Sequence, residues 1–176
     1  MNGTFDAKEL QQRLSGRLHE RDITALSQWA EADLEARDEV FSLMFHADKR
    51  MADNAVWVLT HLSKGCNAWL QDRQKSLANE AMMTGSTTRR RLLLTLLTRT
   101  TFGKETVDAP FLDFCLGLIV SAEEPVGVKT ASLKLAHAQC IHYEELANEL
   151  HAVLALLPES ELKPALRCAI KKVTRQ

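Results

Sequence analysis

The sequence predicts an all-α fold, an α–α superhelix (solenoid) of about five antiparallel helix pairs, and three observations support this prediction. First, the helix-favouring residues Leu and Ala number 27 and 21, whereas the strand-favouring residues Val and Ile number 9 and 4. Second, only seven glycines and four prolines interrupt 176 residues. Third, stretches with helical periodicity recur in pairs at intervals of roughly 37 residues.

Apolar periodicity and capping residues predict ten helices in this order. They cover residues 5–19, 22–31, 33–46, 48–63, 67–83, 86–100, 109–120, 122–140, 143–157 and 160–174. Most connections between them are only a few residues long, which favours antiparallel neighbours. The longest connection runs from Thr100 to Asp108, contains Gly103 and is predicted to be mobile.

Capping residues mark the predicted start of the second helix in each pair. The candidates, spaced 38, 35 and 39 residues apart, are Asp48, Ser86, Ser121 and Ser160. Ser121 and Glu124 also match a capping box. The preceding helices are predicted to begin near Asp33, Asn67, Asp108 and His142. Because one helix pair cannot cover its own apolar face, neighbouring pairs are expected to stack and share a core.

The predicted second helices resemble those of the HEAT and armadillo family of helical repeats. The resemblance rests on residues 51–59 (MADNAVWVL) and 125–131 (PVGVKTA), which echo an apolar residue, a basic residue and then small and leucine positions. Ala52 departs from the basic position, and Gly127 lies inside a predicted helix. A plain helical bundle is the alternative architecture.

The resemblance covers about residues 33–174 as four helix-pair units. It makes the chain, residues 1–176, a single helical-repeat domain in which residues 1–31 form a degenerate N-terminal capping pair. In the resembled family the second helices line a concave surface on which partners dock. The resemblance therefore implies a non-enzymatic module that binds a protein or peptide.

The chain is nearly neutral in total but not along its length. Its 22 Lys and Arg against 23 Asp and Glu give a net charge of −1. Residues 1–48 carry a net charge of −5, residues 49–104 of +7 and residues 105–176 of −3. The neutral total argues against a dedicated binder of nucleic acid or membrane surfaces. The central excess predicts a local positive patch.

The run Arg89-Arg90-Arg91 is the densest charge in this patch. It lies in the predicted first turn of a helix, where the helix dipole disfavours each cation by about 0.3–1 kcal/mol. The favoured interpretation is structural, namely pairing with carboxylates of adjacent units such as Asp53 or Glu80. The alternative is a binding site for an acidic partner surface or a phosphate group.

A second candidate site lies on the predicted helix that follows Asp48. On it, Arg50, Asn54, Trp57 and His61 project within about 60° of one another and away from the core face. Because Trp and Arg dominate binding hot spots, these residues form a candidate partner-binding strip. The alternative, which the sequence slightly favours, is that Trp57 packs against the next unit and His61 only ends the helix.

No motif for catalysis, a cofactor or a metal occurs in the sequence. The four cysteines and six histidines lack zinc or redox spacing. Gly-rich phosphate loops and nucleophile elbows are also absent. We therefore expect no cofactor, no metal ion and buried, reduced thiols, with Cys115 and Cys168 inside apolar helical patterns.

Two classes of enzyme are alternatives to a protein-binding function. The alkylpurine DNA glycosylases use a similar scaffold, and this likeness implies a basic concave groove, an aromatic residue and an acidic catalytic residue, roles that Arg89 to Arg91, Trp57 and Asp53 would take. The acidic flanks of the chain would repel a phosphate backbone and argue against it. A lyase of the fumarase and adenylosuccinate type is disfavoured, because its Gly-Ser-Ser-x-Met-Pro loop has no counterpart in the sequence. The nearest stretch, residues 81–87 (AMMTGST), lacks the order of that loop and its proline.

The sequence also predicts a cytoplasmic protein without a membrane partner. Residues 1–9 lack the basic and apolar regions of a secretory signal. No window approaches the roughly 18 uncharged apolar residues that a membrane-spanning helix requires.

Overall fold

A computed structural model describes residues 6–174, which form an all-helical structure. The α-helices in this range are α1 (Ala7–Ser15), α2 (Glu20–Ala32), α3 (Leu34–Leu43), α4 (Lys49–Thr60), α5 (Asn67–Gln71), α6 (Gln74–Met83), α7 (Thr87–Leu97), α8 (Ala109–Val120), α9 (Val126–Cys140), α10 (Glu144–Ala155) and α11 (Pro164–Val173). Short 3-10 turns occupy 64–66, 104–106 and 159–161. The all-α prediction is confirmed, while residue 5 of the first predicted helix lies outside the described range.

The helices stack in two layers, as expected for a solenoid. Helices α4, α7, α9 and α11 contact one another in that order and form the second-helix layer. Helices α6, α8 and α10 do the same in the first-helix layer. The pairs α3–α4, α6–α7 and α8–α9 join the layers, and α10 and α11 both pack on α9. Buried apolar side chains from both layers form one continuous core.

The first two helices are divided between the layers. Helix α1 packs against α4 and extends the second-helix layer, whereas α2 packs against α3 and α4. The first described helix therefore occupies the place that a second helix takes in the later pairs. This arrangement brings the residues that follow α1 next to the exposed side of α4.

Side-chain caps begin four helices at the predicted residues. The carboxylate of Asp33 accepts from the amide of Glu35, and that of Asp108 accepts from the amide of Phe111. Asp48 accepts from the amides of Met51 and Arg50, and these hydrogen bonds hold the pKa of its carboxyl below the usual value. Ser86 accepts from the amide of Arg89 at 3.2 Å. These caps were readable because each acts within three residues.

The two other predicted caps are wrong. Helix α9 begins at Val126 after Pro125, and helix α11 begins with Pro164, so neither Ser121 nor Ser160 caps a helix. Pro164 is the first residue of α11, where its preset φ suits a helical first turn and its missing amide hydrogen leaves no donor unpaired, whereas Pro125 directly precedes α9. Ser121 instead ends α8, and Glu124 forms an ion pair rather than a capping box.

The predicted helix over residues 67–83 is broken into α5 and α6. The break holds Arg73, whose guanidinium lies 4.2 Å from the ring of Trp69 and pairs with Asp38. The indole nitrogen of Trp69 also donates to Asp38, at 2.9 Å. These contacts fasten α5 to α3. The two contacts with Asp38 join residues more than 30 positions apart, so local periodicity gave no sign of them.

The connection between α7 and α8 is tied down at several points. The amide of Thr101 donates to Oε1 of Gln71 at 2.8 Å, and the imidazole of His142 donates to the carbonyl of Phe102 at 2.7 Å. Phe102 is buried and stacks on Phe111. The mobility predicted for the connection from Thr100 to Asp108 stays a prediction.

Two further details of the sequence acquire a local explanation. Gly127 is the second residue of α9, so it lies in the first turn and not inside the helix.

Cys66, Cys115 and Cys140 are buried, whereas Cys168 is exposed and the expectation of its burial is wrong. Cys168 lies on the last described helix, which packs on α9 alone to any large extent. Burial raises the pKa of Cys140 to about 11.

The caps give a matched test of stability. Replacing Ser86 by Ala removes the acceptor for the Arg89 amide, so we expect the free energy of unfolding to fall by about 1–2 kcal/mol. The same substitution at the exposed Ser160, which caps no helix, is expected to change it by less than about 0.5 kcal/mol. Urea unfolding followed by circular dichroism measures both, and equal losses would contradict these cap assignments.

Candidate functional site

The three predicted arginines lie in the first turn of α7 and point to different neighbours. The cap Ser86 starts the helix just before them. Successive residues of a helix are rotated by about 100°, so the three side chains cannot share one environment. Two of them are engaged with carboxylates, and the third is exposed.

Arg89 joins α7 to α4 and α6. Its Nε donates to Oδ1 of Asp53 at 2.7 Å, and its Nη1 donates to Oε1 of Glu80 at 3.1 Å. Nη2 donates to the carbonyl of Lys49 at 3.3 Å. Only 8% of Arg89 is exposed. The pairing with Asp53 and Glu80 that the sequence favoured is thus confirmed for this arginine.

Arg90 joins α7 to the next pair. Its Nη1 pairs with Oε1 of Glu124, which lies in the connection between α8 and α9. Its Nη2 donates to the carbonyl of Thr84 at 3.0 Å, and the guanidinium lies 5.9 Å from the ring centroid of Phe114. The two charged side chains are only 18% and 12% exposed. Arg90 therefore also has a structural role.

Arg91 is exposed and lines a cleft of about 250 Å³ between α4 and α7. Asp53, Asn54 and Trp57 line the α4 side of this cleft. Both carboxylate oxygens of Asp53 are engaged, one by Arg89 and the other by the hydroxyl of Ser86 at 3.1 Å. Arg91 is thus the member of the run that faces an open surface.

Asn54, in the predicted strip on α4, holds the end of α1. Its Nδ2 donates to the carbonyls of Leu14 at 2.7 Å and Gly16 at 3.0 Å. Carbonyls at a helix C-terminus have no partner within the helix, so these bonds satisfy them. The side chain that the sequence placed in the binding strip therefore supports the place of α1 on α4.

The rest of the strip borders open space. Arg50 and His61 are exposed, and Trp57 is half-buried, with part of its ring packed on the core. His61 ends α4, and its Nδ1 donates to the carbonyl of Trp57 at 3.0 Å. The two rings meet edge to face, with centroids 6.2 Å apart. Within the strip, Trp57 therefore packs on the core in part and His61 ends the helix, while Arg50 and His61 remain exposed.

A second cleft lies on the other side of Trp57. It has a volume of about 310 Å³ and is lined by the α4 residues Arg50, Asn54 and Trp57 and by Gly16 to Leu18. The exposed side chain of Arg17 contributes a cation to this cleft. Trp57 therefore separates two clefts, which we call the α1 cleft and the α7 cleft.

Sequence reasoning missed Arg17 and grouped the arginines of α7 too closely. Arg17 follows α1, and its approach to α4 depends on a contact between residues almost 40 positions apart. No local pattern indicates that contact. Helical geometry alone could have shown that Arg91 points away from Arg89, but not which of them the carboxylates would bind.

Residues 6–174 contain neither a cluster of metal ligands nor a membrane-spanning helix. No group of three or more His, Cys, Asp or Glu side chains is arranged to hold a metal ion within this range. No helix in the same range has the length and apolar character to cross a membrane.

Comparison with known proteins gave one match, which covers nearly the whole chain. The family model of the HEAT repeat domain matches residues 10–176. No curated protein and no solved structure shows a significant similarity to the chain.

The contacts of α7 predict unequal effects of two identical substitutions. Arg89→Met leaves Asp53 and Glu80 without their cation, so we expect the free energy of unfolding to fall by about 3 kcal/mol. Arg91→Met, two residues along and exposed, is expected to change it by less than about 0.5 kcal/mol. Urea unfolding measures both, and a larger loss for Arg91→Met would contradict the assignment of roles.

Proposed function

Because the chain belongs to the HEAT repeat domain family, whose repeats commonly mediate protein interactions, we propose that it is a non-enzymatic protein-binding module. The proposed binding surface is the exposed side of α4 with its two flanking clefts. Arg50, Trp57, His61 and Arg91 form it together with Arg17. This surface is held in place by the contacts of Arg89, Arg90 and Asn54 described above.

The observation that carries the proposal is the combination of an aromatic ring with exposed arginines around open clefts. Trp57 is held in place by core packing on one side and lines both clefts on the other. A fixed aromatic side chain loses little entropy when a partner covers it. Arginine and tryptophan are also the residues that contribute most to binding energy at protein interfaces.

The position of the surface within the fold favours the same function. It lies on the second-helix layer, at the junction of α1, α4 and α7. Helices in stacked repeats contact only their neighbours, which leaves an extended layer face for a partner. A partner on this junction would contact three helices at once.

Site-specific photo-crosslinking tests the proposal. A benzoylphenylalanine residue in place of Arg50 is expected to yield a discrete covalent protein adduct in an extract of cells that contain the native protein. The control carries the same residue in place of Arg21, which is exposed on α2 in the other layer.

The adduct is expected at position 50 and not at position 21. Mass spectrometry of the adduct identifies the bound protein, and competition with unmodified chain establishes that the contact is saturable. Identical adducts from both positions, or no adduct from position 50, would contradict the proposed surface.

A further inference from the structure

The two clefts beside Trp57 carry positive charge that the chain does not neutralise. Arg17 and Arg50 line the α1 cleft, and Arg91 lines the α7 cleft. All three side chains are exposed, and within residues 6–174 their guanidinium groups make no hydrogen bond or ion pair. Arg50 acts on Asp48 only through space, as a minor cause of its lowered pKa.

The carboxylate that lines the α7 cleft is already bound to other groups. Asp53 lines the α7 cleft, but Arg89 and Ser86 hold its two oxygens. Glu124 is paired with Arg90. The positive charge of Arg17, Arg50 and Arg91 is therefore left to face solvent or a partner.

The cations come from three elements, so no single helix face accounts for their grouping. Arg17 belongs to the segment after α1, Arg50 to α4 and Arg91 to α7. Asn54 holds the first of these segments on α4, and Arg89 holds α7 on α4. These internal contacts fix the arginines on both sides of Trp57 before a partner arrives, which reduces the entropy lost on binding.

We propose that the two clefts bind an acidic peptide segment of a partner protein, laid across α4 with an apolar side chain on Trp57. This inference rests on the proposed function and adds the chemistry of the partner. Carboxylates on either side of the apolar residue pair with Arg17 and Arg50 in one cleft and with Arg91 in the other. Guanidinium groups bind carboxylates through two parallel hydrogen bonds, and the indole offers the apolar contact between them.

Charge along the chain favours a short acidic segment over a nucleic acid. Residues 1–48 and 105–176 carry net charges of −5 and −3 on either side of the positive centre. A long polyanion relies on positive charge spread over many contacts, whereas three arginines match the few carboxylates of a short peptide.

Fluorescence anisotropy with defined probes tests this inference on the full chain. The probe is a fluorescein-labelled peptide EELFDEE, and its matched control is QQLFNQQ, in which amides replace the carboxyl groups. A third probe, EESSDEE, lacks the apolar residues, and a labelled 20-nucleotide single-stranded DNA represents the phosphate alternative. We expect EELFDEE to bind at least about 10-fold more tightly than each of the other three.

Charge-reversal variants locate the site. Arg50→Glu with Arg91→Glu is expected to weaken EELFDEE binding at least about 10-fold, and Arg17→Glu or Arg91→Glu alone at least about 3-fold. The control pair, Arg21→Glu with Lys75→Glu, changes the net charge equally on exposed residues of α2 and α6 and is expected to change binding less than about 2-fold. Circular dichroism confirms that each variant is folded.

Three outcomes would overturn the inference. They are no binding of EELFDEE, equal losses in the site and control variants, and tighter binding of the DNA. None of them affects the photo-crosslinking result, which reports a bound protein whatever its charge. A crosslink at position 50 with failure of the acidic probe would retain the protein-binding function and reject the acidic partner.

Discussion

Ion pairs at the start of α7 connect this helix to the helix pairs on both sides. Arg89 binds Asp53 of α4 and Glu80 of α6, and Arg90 binds Glu124 before α9. One helical turn thereby joins three consecutive pairs. The helix dipole disfavours cations at this end of a helix, so the carboxylates also offset a local cost. Removing one partner of a buried pair leaves a charge without compensation, which is why these contacts constrain the fold.

This constraint determines which arginine of the run remains exposed. Arg89 and Arg90 are directed into the contacts with neighbouring units, and helical rotation then directs Arg91 toward the α7 cleft. The same contact between α4 and α7 forms the wall of that cleft. The Arg89–Asp53 ion pair and the α7 cleft are adjacent because both lie where α4 contacts α7.

Signals that act within a few residues were readable from the sequence. Helical periodicity gave the all-α fold and the pairing of helices, and Asp48 and Ser86 gave two helix starts. The predicted starts of α9 and α11 at Ser121 and Ser160 are wrong, because α9 begins after Pro125 and α11 begins with Pro164.

Features that depend on distant contacts were not readable. The break between α5 and α6 depends on Asp38, which binds Trp69 and Arg73. The role of Asn54 depends on the place of α1 in the second-helix layer, and Arg17 enters the site for the same reason. The candidate strip lies on α4, and its division into supporting and exposed side chains required the packed structure.

A double-mutant cycle across one junction measures whether the charge pairs on α7 stabilise the contact between consecutive helix pairs. The free energies of unfolding of Arg90→Met, Glu124→Gln and the double variant give the coupling energy between the two side chains. This stabilising role predicts a coupling of at least about 1.5 kcal/mol, because each single variant leaves a partly buried partner unpaired. A coupling below about 0.5 kcal/mol would contradict it.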